Sequence, residues 1–215
     1  MNKRIKNTIK ELGGLGLLLT SLSANSNEIS LKQYFPNQRD NYQEISAKYT
    51  LTEDIKVHTF LNNNTKGDYF GKTTLNKKIG DSDCSIKSQI IHANEFKADI
   101  GVGVSCSKKF DNGVFANISI LPVWESNNDK VQTQYFIKKD NILGEEGILS
   151  GINFSSFGEW DKEGKFGYGE MSLLKSNKIN ENLNFSYGLN SGLIGEGKFI
   201  PKLDIGLLAQ FNIKF

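Results

Sequence analysis

At the end of the chain the odd positions are Leu203, Ile205, Leu207, Ala209, Phe211, Ile213 and Phe215, all apolar. The even positions are Asp204, Gly206, Leu208, Gln210, Asn212 and Lys214, with Leu208 the sole apolar member. A strict period of two over this length means a β-strand with one greasy and one wet face. The same alternation recurs upstream, in Ile45, Ala47, Tyr49 and Leu51, in Ile55, Val57 and Leu61, and in Ala98, Ile100, Val102 and Val104. Turn residues punctuate these runs, as in Thr52-Glu53-Asp54, Lys108 to Asn112, Glu125 to Asp129, Gly158-Glu159-Trp160-Asp161 and Ser176-Asn177-Lys178. Candidate strands therefore cover 43–51, 54–62, 67–77, 84–93, 96–107, 113–124, 131–138, 147–157, 164–175, 180–190 and 203–215. No comparably clear helix follows residue 27. Glu170 interrupts the face carrying Phe166 and Tyr168, which reads as a bulge or a contact inside a barrel.

The first 26 residues break this pattern. A basic stretch from Met1 to Lys10 leads into an apolar run from Leu12 to Leu19 and then small polar residues around Ser21 to Ser26. That order is expected of a cleaved secretory signal peptide, leaving residues 27–215 as a single β-domain. The apolar run is short of the ~20 residues of a spanning helix. Lys3, Arg4, Lys6 and Lys10 more than account for the net charge of +2, so the remainder is near neutral and no nucleic-acid partner is expected. Arg4 and Arg39 are the only arginines.

Export gives meaning to the two cysteines. A hairpin centred on Glu95 sets Cys84 opposite Cys106, with Ile86/Val104, Ser88/Val102, Ile90/Ile100 and His92/Ala98 as further pairs. Cross-strand Cβ atoms lie roughly 4.5–5.5 Å apart, so a disulfide is expected, the alternative being two free buried thiols. No metal, cofactor or catalytic site is expected, since two cysteines and two scattered histidines supply no dense ligand cluster.

Strands that are apolar on one face and polar on the other form either a soluble barrel with an apolar interior or a membrane barrel turned inside out. The terminal strand favours the second. Its alternation, its Phe211, Ile213 and Phe215, and the export segment resemble bacterial outer-membrane β-barrel proteins, whose terminal aromatic strand is thought to be read by the assembly machinery. The resemblance implies an all-β, closed antiparallel transmembrane barrel in the outer membrane of a Gram-negative bacterium, with lipid and the assembly machinery as partners. Even strand numbers are the rule in such barrels. Adding a first strand at 28–35, where Ile29, Leu31 and Phe35 share parity, gives twelve; dropping 67–77 gives ten; eight stays open if some segments are long external hairpins. Trp124, Trp160, Tyr42, Tyr49, Tyr135, Tyr168 and Tyr187 are candidates for the aromatic girdles.

Parity then assigns a lumen. Its candidates are Lys48, Lys56, His58, Lys97, Asp99, Gln132, Gln134, Lys138, Asn184, Gln210, Asn212 and Lys214, a mixed-charge set that suggests weak selectivity. His58 reads as a structural hydrogen-bonding residue, and His92, beside the Asn94-Glu95 turn, as an interfacial one. His58 with Asp81 and Ser82 resembles loosely the His, Asp and Ser set of outer-membrane palmitoyltransferases, without that family's aromatic-rich motifs; a solvated turn explains Asp81-Ser82-Asp83 equally. Gly67 to Thr73 lacks both the spacing and the following helix of a phosphate loop. The expected function is a porin-like channel passing ions or small solutes. The alternatives are a non-conducting surface barrel for adhesion or resistance, a lipid-modifying enzyme, and a periplasmic lipid-binding barrel. Twelve-stranded acidic-oligosaccharide porins are similar in size and architecture, but this chain lacks their arginine-rich lumen.

Overall fold

A computed structural model describes residues 26–36, 41–94, 96–125, 131–144, 150–163, 166–194 and 202–215. Residues 1–25 of the export segment 1–26 lie outside the described residues, and its last residue, Ser26, begins β1 opposite Tyr49. The strands are β1 (Ser26–Pro36), β2 (Tyr42–Thr52), β3 (Ile55–Asn64), β4 (Tyr69–Lys78), β5 (Cys84–Ala93) and β6 (Phe96–Lys109), followed by β7 (Val114–Trp124), β8 (Gln132–Lys139), β9 (Ile152–Trp160), β10 (Phe166–Lys178), β11 (Leu183–Ile194) and β12 (Lys202–Ile213). Each strand pairs antiparallel with its sequence neighbours, and β1 pairs with β12 to close the barrel. Closure leaves no unpaired edge. Among the described residues there are twelve strands, and the eight- and ten-stranded readings fail because the 67–77 segment forms β4 and the optional first segment forms β1, opposite β12 from Ile29↔Ile213 to Pro36↔Gly206.

Strand boundaries differ from expectation where glycine or proline misleads. The Gly158-Glu159-Trp160 stretch is not a turn but the end of β9, because Gly158 makes room for the Tyr135 ring of β8: an added Cβ would meet that ring at 2.3 Å. Ser176 to Lys178 likewise belongs to β10. In the β5–β6 hairpin the expected pairs from Cys84↔Cys106 to Ile90↔Ile100 are present, but a register shift between Ile91 and Ala93 removes the His92/Ala98 pair.

The barrel is inverted relative to a water-soluble domain. Outward positions carry Ile118, Ile120, Leu189, Ile205 and Leu207, at 50–60% exposure. Buried inside are Ser30, Glu44, Gln89, Asp99, Ser119, Gln134, Asn190 and Asp204. Water-soluble domains bury their apolar side chains and rarely expose so continuous an apolar belt. Aromatic side chains cluster on the outside near both ends. At the end where β1 begins and β12 finishes, Phe185 packs against Phe211 (4.7 Å between centroids) and Tyr187 (5.7 Å). At the opposite end Tyr135, Trp160 and Phe166 form a row, and His92 lies near Tyr69.

Candidate functional site: a polar lumen

A cavity of about 1770 Å³ runs inside the barrel, lined at one rim by Glu53, Asp54 and Asp83 and at the other by Asn64, Lys66 and Asp68. Its wall follows from the alternation: when one face of every strand is apolar and turned outward, the other must converge on the axis. Of the residues that parity assigned to the lumen, Lys48, Lys56, His58, Gln134, Lys138, Gln210 and Asn212 line this cavity. Asp99 is buried on the inward side of β6, on the same parity as Gly101 and Ser105. Gln132 lies opposite Leu121 at the start of β8, and Asn184 opposite Asn212. Lys214 is exposed beyond the end of β12, and the side chain of Lys97 lies outside the described residues.

The charges are not mixed evenly around the wall. Within the strands, Lys48, Lys56, His58, Lys72, Lys78 and Lys87 stand on β2 to β5 with Glu44 as the lining carboxylate among them, whereas Glu159 and Glu170 stand on β9 and β10; the turns between β2 and β5 add Glu53, Asp54, Asp68 and Asp83 at the rims. Some lysines are matched locally: Lys32 meets Glu44 at 2.7 Å, Lys48 meets Glu28 at 3.6 Å and Lys138 meets Asp140 at 3.1 Å.

Two hydrogen-bonded groups brace the interior. In one, Lys87 Nζ donates to Gln134 Oε1 at 2.6 Å and to Ser119 Oγ at 3.1 Å, and Gln134 Nε2 donates to Gln89 Oε1 at 3.1 Å. This joins β5 to β8 across the lumen. In the other, Glu170 accepts from Tyr34 Oη at 3.2 Å, Tyr168 Oη at 3.1 Å and Asn190 Nδ2 at 2.6 Å. Glu170 thus contacts the lumen, and a register shift does fall between Phe166 and Tyr168, turning Phe166 out onto Trp160 while Tyr168 stays inward. Near the termini Ser30 Oγ donates to Asn212 Oδ1, and Gln210 Nε2 donates to Ser30 Oγ at 2.8 Å.

Several expected girdle aromatics are turned inward instead. Trp124 is fully buried, its indole over Gly101 and its Nε1 donating to Leu121 O at 3.0 Å. The cause is an extra residue in β7, which pairs Val104 with Ile120 but Val102 with Val123 and so reverses parity after Pro122, a residue with no N–H to give the ladder. Tyr42 and Tyr168 line the cavity, while Tyr187 faces outward at 49% exposure.

Parity reasoning left out Lys32, Lys72, Lys87 and Glu159. Lys87 shares parity with Ser85 and Gln89 and was legible from the hairpin; Glu159 was hidden in an apparent turn, and Lys72 in the weakest strand.

The other candidate chemistry disperses. His58 faces Thr74 across β3–β4, and four further residues, about 13 Å at ~3.3 Å per residue, separate Thr74 from the end of β4 at Lys78. Ser82 lies beyond it, its hydroxyl donating to Ile79 O at 2.6 Å within its own turn. Cys84 and Cys106 form a disulfide between β5 and β6. Phe211 packs outward on Phe185, Ile213 lies between Ile29 and Leu183, and Phe215 is 66% exposed past the strand end.

No family model matches the sequence, and no curated protein matches it. Solved structures do share its architecture. The KdgM porin in complex with disordered oligogalacturonate aligns at 8% identity over 87% of this chain and 99% of that one, with a TM-score of 0.56. The NanC porin aligns at 9% identity over 87% of this chain and all of that one, with a TM-score of 0.58. This chain has the fold of those porins.

Proposed function

We propose that the protein is an outer-membrane, porin-like channel for small solutes, with a passage that favours anions. The observation that carries this reading is the continuous polar cavity lined from one barrel rim to the other. The apolar belt and the aromatic clusters at both ends fit a barrel whose outer face meets lipid. The fold shared with porins supports the same conclusion. A lipid-carrying soluble barrel needs an apolar interior, and this one is polar. The anion preference rests on the strand-borne part of the cavity lining, where Lys32, Lys48, Lys56, Lys72, Lys78, Lys87 and Lys138 outnumber Glu28, Glu44, Glu159 and Glu170; the turns at the rims carry Glu53, Asp54, Asp68, Asp83 and Asp140 with Lys66. Lysine here takes the place of arginine as a compact, hydrated charge, suited to attracting an anion without binding it tightly.

In this reading residues 1–26 direct export and are removed, residues 27–215 form the barrel, and Phe211, Ile213 and Phe215 present the strand that the assembly machinery engages in a Gram-negative outer membrane. The test is liposome swelling with the refolded mature protein. Small organic anions such as gluconate are expected to enter faster than neutral sugars of equal size, and organic cations most slowly. Equal rates for all three would remove the anion preference, and no swelling with folded protein would remove the channel.

A further inference from the structure

One side chain crosses the lumen. Lys72 sits on β4 opposite Phe60 of β3, and its Nζ lies 5.9 Å from the Phe60 ring centroid and 5.1 Å from that of Phe157. Phe157 belongs to β9, with β5 to β8 between the two strands by the short way around the wall. In a closed barrel of twelve strands that places them on nearly opposite sides. The lysine stem therefore carries its ammonium away from its own wall and sets it over the ring on the far wall.

Lys32, Lys48 and Lys138 each meet a carboxylate, whereas Lys56, Lys72, Lys78 and Lys87 have none of the described residues' carboxylates within ion-pair distance; of these four, Lys72 is the one set over ring faces. Its partners are two ring faces, which attract a cation through their quadrupoles without neutralising it. The space beside the bridge is already filled. The Lys87–Gln134–Gln89 group occupies the β5–β8 side, and the Tyr34–Glu170–Asn190 group the side of β10 to β1. Gln89, Gln134, Tyr34 and Asn190 are all buried. Along β2 to β4 the cavity stays lined by polar side chains, among them Lys56, His58, Asn62 and Asn64.

We propose that Lys72, held across the lumen on Phe157 and Phe60, is the charge-selecting constriction of the pore. A passing anion meets this ammonium where it bridges the lumen, with no carboxylate of the described residues at ion-pair distance, and takes the place of a ring as its partner; a cation is repelled by the same charge, which Glu159 opposes only from further away. The inference rests on the channel reading, and the experiment separates the two.

Single-channel currents are recorded in planar bilayers under a potassium chloride gradient, with folding of each variant checked by heat-dependent gel mobility. Lys72→Gln is expected to lower the chloride-to-potassium permeability ratio by about two-fold or more, and Lys72→Glu to invert the preference. Lys56→Gln, which removes a charge from the same wall without removing the bridge, is expected to change the ratio less. Phe157→Leu keeps the charge but releases it, so the ratio is expected to hold while the current fluctuates between more levels. If Lys72→Glu does not fold, Lys72→Gln against Lys56→Gln still decides. A conducting protein whose ratio is the same in wild type and Lys72→Gln overturns the constriction and leaves the channel standing. Folded wild-type protein that never conducts overturns the channel, and the constriction with it.

Discussion

Leu207 and Leu208 are the same residue type one position apart, yet Leu207 is 60% exposed on the outer face and Leu208 is 3% exposed within the barrel, opposite Tyr34 and Gly188. Position in the pleat, not side-chain chemistry, decides which solvent each meets. If the outer face meets lipid, Leu207→Arg costs about 2–4 kcal/mol in reversible refolding into bilayers, because an arginine in mid-membrane has no water to hydrate it. The matching change on the inner face, Ser155→Arg in the cavity wall, is expected to cost much less. Equal costs at the two positions would mean that the outer face is not in lipid. Parity also explains what could be read from the sequence and what could not. It placed Lys48, Lys56, His58, Gln134 and Asn212 on the inner face because their strands are regular. Trp124, a girdle candidate from its place near a strand end, is instead buried, because an extra residue beside Pro122 shifts the β7 register; no alternation in the sequence signals that shift, whose counterpart is the flat Gly101 surface on the neighbouring strand.

At the level of elements, the β5–β6 hairpin was the most legible, since two cysteines and four apolar residues had to agree on one register. Its disulfide spans a sequence separation of 22, for which the chain-entropy account gives about 3 kcal/mol; adjacent paired strands already restrain the same segment, so about 1–3 kcal/mol is expected. Cys84→Ser with Cys106→Ser should lower the urea midpoint of the refolded barrel accordingly and leave its strand content unchanged. An unchanged midpoint would show that strand pairing alone holds this hairpin. The start of β9 was less legible. Residues 147–149, which the apolar pattern assigns to this strand, lie outside the described residues; Gly151, with φ of 72°, immediately precedes the start of β9 at Ile152.

For the molecule as a whole, closure is what turns alternating strands into a passage, and it depends on the final strand meeting the first. Phe211 pairs with Leu31 on one side and Phe185 on the other, and Ile213 with Ile29 and Leu183. Closure and an even strand number were foreseeable from the need to pair every edge; the crossing of the lumen by Lys72 was not, because it joins strands remote in sequence through side chains alone. The most direct measurement is single-channel recording in planar bilayers of the detergent-refolded mature protein beside a form lacking Phe211 to Phe215. A porin-like channel gives stable, discrete current steps from the intact protein and none from the shortened one, whose β12 stops at Gln210 and no longer closes against Ile29–Leu31 of β1 and Leu183–Phe185 of β11. Silence from intact, folded barrels, or identical steps from both proteins, would contradict it.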